Sequence, residues 1–226
     1  KRAIERAFLE LRSLGITSFV DMFVWTNSLK AYREIEDDGN LTFRVSAAIA
    51  LNDYTDMLDT LEGVADTLSR RGDFETKLIR VDSFKYWADG TPLSYTSLLL
   101  KPYENADTLG ALTMSEAQLV NARKLLDENL IGRFHSVTDG TARVLLDLVE
   151  RYRKDNPGST NLVQIGHNAL VHPDDFSRYR DLNVITEFSP AFWFPLPVGE
   201  IVPQFIGKER FARWYPIAEM YRAGVT

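Results

Sequence analysis

Three side chains with metal-binding chemistry close three successive apolar runs. Lys85 ends LIRVDSFK, His135 follows IGRF, and His167 follows LVQIG. Neutral imidazole is a common ligand for zinc and similar ions. An ammonium has no lone pair and cannot ligate. A lysine carboxylated by carbon dioxide can, because the carbamate offers two oxygens and can bridge two cations. The chain has no cysteine and only one further histidine, His172. Disulfides and thiolate sites are therefore excluded, and a metal must be held by imidazole, carboxylate or such a carbamate. Taken singly, each residue has a plainer reading. Lys85 would pair with Asp82 or Asp89, His135 would be a satisfied core histidine, and His167 would cap a loop. His172, placed before Pro173 and two acids, reads as a helix-start residue rather than a ligand. Only their shared position at the ends of consecutive runs points to a metal site.

Those runs must be strands for the three side chains to converge. Lys1–Gly15 carries Ile4, Ala7, Phe8, Leu11 and Leu14 at helical spacing, with Gly15 as a stop. Residues 16–20 read as a strand closed by Asp21, and residues 42–50 and 78–85 as two more. Between the last two, Met57, Leu58, Leu61, Val64, Ala65 and Leu68 form a helical stripe. Asp89-Gly90 and Pro92 open an irregular segment to about Thr113, read as a functional loop. Ser115-Glu-Ala-Gln118 matches a capping box for a helix with Leu119, Ala122, Leu126 and Leu130 on one side. Residues 131–134 are strand, ending at His135. Thr138 and Asp139 start a helix whose stripe is Ala142, Leu145, Leu146, Val149 and Tyr152. Residues 162–165 are strand, closing at His167, and Pro173 starts another helix. Residues 184–188 are strand, and a Pro- and aromatic-rich loop then runs to about Ile206. A last helix buries Phe211, Trp214, Tyr215, Ala218 and Tyr221. Val225-Thr226 reads as the first residues of a further strand.

The order is one helix, six strand–helix units and a strand stub. Strict alternation implies parallel strands with crossover helices. A full barrel of eight such units takes about 250 residues. The expectation is an α/β fold, an incomplete (β/α)8 TIM-type barrel of strands two to seven, with residues 1–226 as a single domain. A doubly wound open sheet is the alternative, although no G-x-G-x-x-G loop follows any strand. The chain opens on Lys1 inside a helical pattern and stops at Thr226, so it is expected to be a piece of a longer protein, with any leader before Lys1 and the compartment unread. Two unpaired sheet edges would then invite a homodimer or exchanged elements, unless a terminal helix covers them.

The net charge is −6, with 45 % apolar and 26 % charged residues. That composition is globular. It argues against nucleic acid or an anionic membrane as the main partner, and no apolar run approaches the roughly 18 residues of a membrane helix.

The motifs together resemble amidohydrolase family 3, the YtcJ-like branch of the metal-dependent amidohydrolase superfamily. VDSFKYWADGTPLSYTSLLLKPY is similar to its K-x-x-x-DG segment, and FHSVTDGTARVLLDLVE to its H-x-x-GD-x-A stretch. IGHNALVHPDDFSRYRDLNVITEFSP resembles its E-H-x-x-x-x-x-P-x-D-x-x-R-x-x-x-L block with the following Q-P, and LGITSFVDM its G-I-T-x-x-x-D. The resemblance runs along the whole chain in order. It implies a barrel hydrolase that cleaves an amide-type C–N bond of a small molecule with metal-activated water. It also implies Lys85 as a carboxylated bridging ligand, with His135 and His167 on the second ion. The metal would be divalent, zinc first, with one or two ions per complete site. An H-x-H pair before Lys1 and a general-base Asp beyond Thr226 would complete the set, so no catalytic residue lies within the 226 and the piece alone is expected to be inactive.

The chain departs from the pattern at Thr138 for Gly, Gly166 for Glu and Ser189 for Gln. Those changes imply an altered substrate pocket. Asp89, Asp139, Trp87 and Trp193 are the candidate substrate-binding residues. Asp139 also has a structural reading at its helix start, and the tryptophans one as packing. Two other functions stand beside the hydrolase: a non-catalytic regulatory or binding protein on a degenerate scaffold, and a metal-free enzyme working through Asp21, Asp89 and Glu187.

Overall fold

A computed structural model describes residues 1–51, 61–189 and 197–226. Helices and parallel strands alternate along it, as predicted. Two compact units are described, Lys1–Lys85 and Tyr86–Thr226.

In the first unit, α1 (Arg2–Ser13) leads to β1 (Ser18–Val24), α2 (Thr26–Asp37), β2 (Arg44–Ala50), α3 (Leu61–Ser69) and β3 (Ile79–Trp87), whose last two residues belong to the second unit. β1 pairs with β2 and β2 with β3, all parallel, with Ala50 opposite Lys85. Phe8 is the one buried residue of α1, and its ring lies 4.8 Å from Phe43 and 5.8 Å from Phe19. Two expectations are corrected. β1 does not stop at Asp21 but runs on to Val24, because the Tyr32 hydroxyl donates to the Asp21 carboxylate at 2.6 Å and satisfies it within the strand. α2 had no counterpart in the sequence reading. Its charged surface hides a stripe of only Leu29, Tyr32 and Ile35, all buried. Met57 and Leu58 lie outside the described residues.

The second unit holds α4 (Glu116–Asp127), β4 (Ile131–Ser136), α5 (Asp139–Asp155), β5 (Val163–His167), α6 (Phe176–Asp181) and β6 (Val184–Phe188), then α7 (Pro197–Ile206), α8 (Lys208–Phe211) and α9 (Ile217–Arg222). β4, β5 and β6 pair in that order, parallel and unshifted. The capping box of α4 forms both of its bonds. The stripe of α5 is buried as read, from Ala142 to Tyr152.

The end of the chain differs from expectation. Part of the expected loop is the helix α7, which accommodates Pro203. The expected last helix is broken into α8 and α9, because Tyr215 takes the left-handed conformation just before Pro216. The break rotates α9, so Met220 is buried and Tyr221 is 79 % exposed rather than core. The Thr226 carbonyl accepts the Thr186 N–H of β6 at 2.8 Å, as a residue entering a neighbouring strand would. Among the described residues no helix is long and apolar enough to cross a membrane.

Candidate functional site

Two of the predicted ligands meet in the second unit. The His135 and His167 rings lie 4.3 Å apart, edge to face. Strand register alone would not bring them together. His135 pairs with Gly166, and His167 pairs with Ser136, so regular pleating would turn the two imidazoles to opposite faces. The backbone of His167 breaks the alternation: its φ is 71°, and Asn168 follows at 45°. A left-handed conformation costs a residue with a Cβ roughly 1–2 kcal/mol. Asn168 holds the turn in place. Its N–H donates to Ser136 O at 2.9 Å, its amide to Ile165 O at 2.6 Å, and its Oδ1 accepts the buried Tyr179 hydroxyl at 2.6 Å. Strain of this kind gathers at functional positions.

Each imidazole is held from behind. Asp89, 2 % exposed, accepts the His135 Nδ1–H at 2.8 Å. The same carboxylate takes the Val137 N–H at 3.0 Å on both oxygens and the Thr138 N–H at 3.3 Å. An acceptor at Nδ1 requires the proton there and leaves the lone pair on Nε2. His167 Nδ1 is paired with the Ser189 hydroxyl at 2.6 Å. An oxygen behind each ring is the arrangement that orients ligating imidazoles. As a donor set the pair fits half of a metal site. Among the described residues no three His, Asp or Glu side chains converge as one cluster.

The other predicted residues fall as follows. Lys85 closes the first unit on β3, 5 % exposed, with its carbonyl accepting the Leu51 N–H at 3.0 Å. Trp87 stands edge to face with His135 at 6.3 Å. Trp193 lies outside the described residues. His172 caps the turn at Pro173, its Nδ1 accepting the Asp174 N–H at 3.3 Å. The Gly166 gap is filled from the next strand. Glu187 pairs with Gly166 in register, and its Oε2 lies 3.2 Å from where a Cβ of residue 166 would stand. Gln164 donates to the same oxygen at 3.0 Å. A carboxylate thus stands beside that position although the sequence has glycine there.

The Asp89-Gly90 and Asp139-Gly140 pairs anchor the 92–113 loop. At Gly90 a Cβ would fall 2.1 Å from Thr96 Oγ1, and at Gly140 one would fall 2.6 Å from Leu98 O. Asp139 is the first residue of α5 after the N-cap Thr138, and its Oδ1 accepts the Leu100 N–H at 3.1 Å and the Gly140 N–H at 2.9 Å. The Thr138 hydroxyl donates to Leu98 O at 2.6 Å instead of capping the helix. Burial pushes the Asp139 carboxyl above its ordinary value, against the two N–H donors and the more distant Arg210 and His172. A carboxyl with a raised folded-state pKa contributes most below its unfolded value and loses that contribution as pH rises through the folded one. Wild type should therefore gain stability relative to Asp139→Asn as pH falls from neutrality into the carboxylate range. Urea midpoints of the two proteins along that range check this; a constant difference contradicts it.

The sequence reading missed a cavity against the histidine pair, about 200 Å³ in volume. It is lined by Thr91, Pro92 and Leu93 from the loop, His135 and Val137, His167 and Ala169, Gly199 and Val202 of α7, and Trp214 and Tyr215. The Tyr215-Pro216 pair was the available signal, because it marks the break that brings two aromatic residues together.

The chain belongs to the amidohydrolase family, whose sequence pattern matches residues 1–226. It is similar in structure to an uncharacterized metal-dependent hydrolase from Pyrococcus furiosus, with a TM-score of 0.75 and 24 % identity over 97 % of this chain and 43 % of that one. A counterpart from Pyrococcus horikoshii OT3 matches with the same score and identity over 97 % and 42 %. Atrazine chlorohydrolase TrzN from Arthrobacter aurescens TC1, solved with zinc, matches with a TM-score of 0.51 and 17 % identity over 100 % and 47 %. The chain thus spans less than half the length of these structures. No curated protein matches it. The fold is α/β, that of an incomplete TIM-type barrel.

Proposed function

We propose that the chain carries one part of the active centre of a metal-dependent amidohydrolase that cleaves an amide-type C–N bond of a small molecule. The observation that carries this is the pair of imidazoles 4.3 Å apart, each with an oxygen behind Nδ1. His135 and His167 would hold a divalent ion, zinc in the first instance, through Nε2, and the family pattern makes Lys85 a candidate carbamate ligand. When bound, the ion supplies Lewis acidity and activates water. Asp89 fixes the tautomer and orientation of His135, and Ser189 fixes the orientation of His167. Trp87 covers one edge of His135. In this reading the H-x-H pair and the general-base Asp lie outside the 226 residues, and these residues alone do not turn over substrate.

The test is equilibrium dialysis against zinc with elemental analysis. Wild type should retain bound zinc, and His135→Ala and His167→Ala should each bind it at least tenfold more weakly, the scale on which losing a ligand or its support is felt. Equal zinc in all three proteins contradicts the reading. In a longer protein containing this chain, the metal-free alternative predicts unchanged activity after His135→Ala.

A further inference from the structure

The cavity against the histidine pair has a definite chemistry. His135 and His167 line it together with the apolar or aromatic Leu93, Val202, Trp214 and Tyr215. Among the described residues that line it, none is Asp, Glu, Lys or Arg. Burial pushes the Tyr215 hydroxyl up to about 12, so it too is uncharged at neutral pH. The wall is held firmly. Val202 belongs to a buried cluster with Leu99, Tyr103, Leu170 and Ile206, and Leu93 and Trp214 pack against that cluster. The Tyr215 N–H is bonded to Ala169 O at 2.6 Å.

Size then limits the occupant. A dry apolar cavity of about 150 Å³ accepts benzene, whereas sites for whole drug-sized ligands run from about 300 Å³. A space of about 200 Å³ takes one ring-sized group and not a whole substrate. A charged group would lose its hydration and meet no counter-charge among the described residues of the wall.

We infer that this cavity seats an uncharged, apolar, ring-sized substituent of the substrate, with the bond to be cleaved directed toward His135 and His167. What happens at the imidazoles rests on the hydrolase reading above; the class of group held in the cavity does not.

The test uses 4-fluorotoluene, followed by fluorine NMR, with benzoate and benzylammonium as charged counterparts. Gly199 lines the cavity from α7, and among the described residues no atom lies within 4 Å of where its Cβ would stand. Gly199→Leu should therefore fold and fill the space; Val202→Phe is a second variant that fills it from another position on the same helix. Wild type should bind fluorotoluene at one saturable site, at least tenfold more tightly than either charged probe. Gly199→Leu and Val202→Phe should each weaken that binding at least tenfold while zinc uptake stays as in wild type. No saturable binding to wild type overturns the inference, as do equal affinity for the charged probes and undiminished binding to both variants. Fluorotoluene binding without zinc binding supports the cavity's assignment while removing the hydrolase reading.

Discussion

Asp89→Ala is expected to lower stability by about 3 kcal/mol or more and to weaken zinc binding at least tenfold. The Asp89 carboxylate is buried and collects the N–H groups of Val137 and Thr138 together with His135 Nδ1–H. Alanine leaves those donors without an acceptor, at about 1–3 kcal/mol for each buried group. Asp89→Asn separates the two roles. It keeps the volume and one acceptor oxygen, but its NH2 must face another donor. Asn should therefore recover part of the stability while relaxing the His135 tautomer. Urea unfolding measures the first effect, and nitrogen-15 NMR of the imidazole measures the second. An Asn variant with wild-type stability and an unchanged Nδ1–H tautomer would show that Asp89 merely fills space.

Gly140→Ala is expected to cost about 3 kcal/mol, the upper part of the usual range for an overpacked site. A Cβ there would lie 2.6 Å from Leu98 O and 2.8 Å from the carbonyl carbons of Leu98 and Leu99. These are backbone atoms, so no side-chain rotation relieves the clash. Leu98 O already accepts the Thr138 hydroxyl at 2.6 Å and the Thr141 N–H at 3.1 Å, so withdrawing it would break both bonds. Gly158→Ala is the control. Among the described residues nothing lies within 4 Å of its Cβ position, and a change within about 0.5 kcal/mol is expected. Equal midpoints for the two variants would refute the close approach. Loosening the 92–113 loop should also speed its proteolysis in Gly140→Ala, because that loop supplies Leu93 to the cavity wall.

These two residues show what the sequence made legible. The strand ends at His135 and His167 were readable because short apolar runs stop there, and the α5 stripe because 3.6-residue periodicity survives burial on one side. The helix α2 was not, since Leu29, Tyr32 and Ile35 are too few among charged neighbours to announce a period. Asp139 had two readings in the sequence, a helix-start residue and a substrate-binding one. Its carboxylate reaches Leu100, 39 positions away, and such a bond leaves no local signal. The meeting of the imidazoles depends on a left-handed His167, which strand alternation cannot foretell. The carboxylate beside Gly166 comes from Glu187 on the next strand, so reading residue 166 alone suggested a loss. The cavity wall depends on the break at Tyr215, which a continuous helical stripe conceals.

The most direct measurement is a zinc-edge anomalous difference map from a zinc-soaked crystal. The account predicts a peak about 2.0–2.1 Å from Nε2 of both His135 and His167. A peak on His172 and Asp174 alone, or none between the two rings, would contradict it.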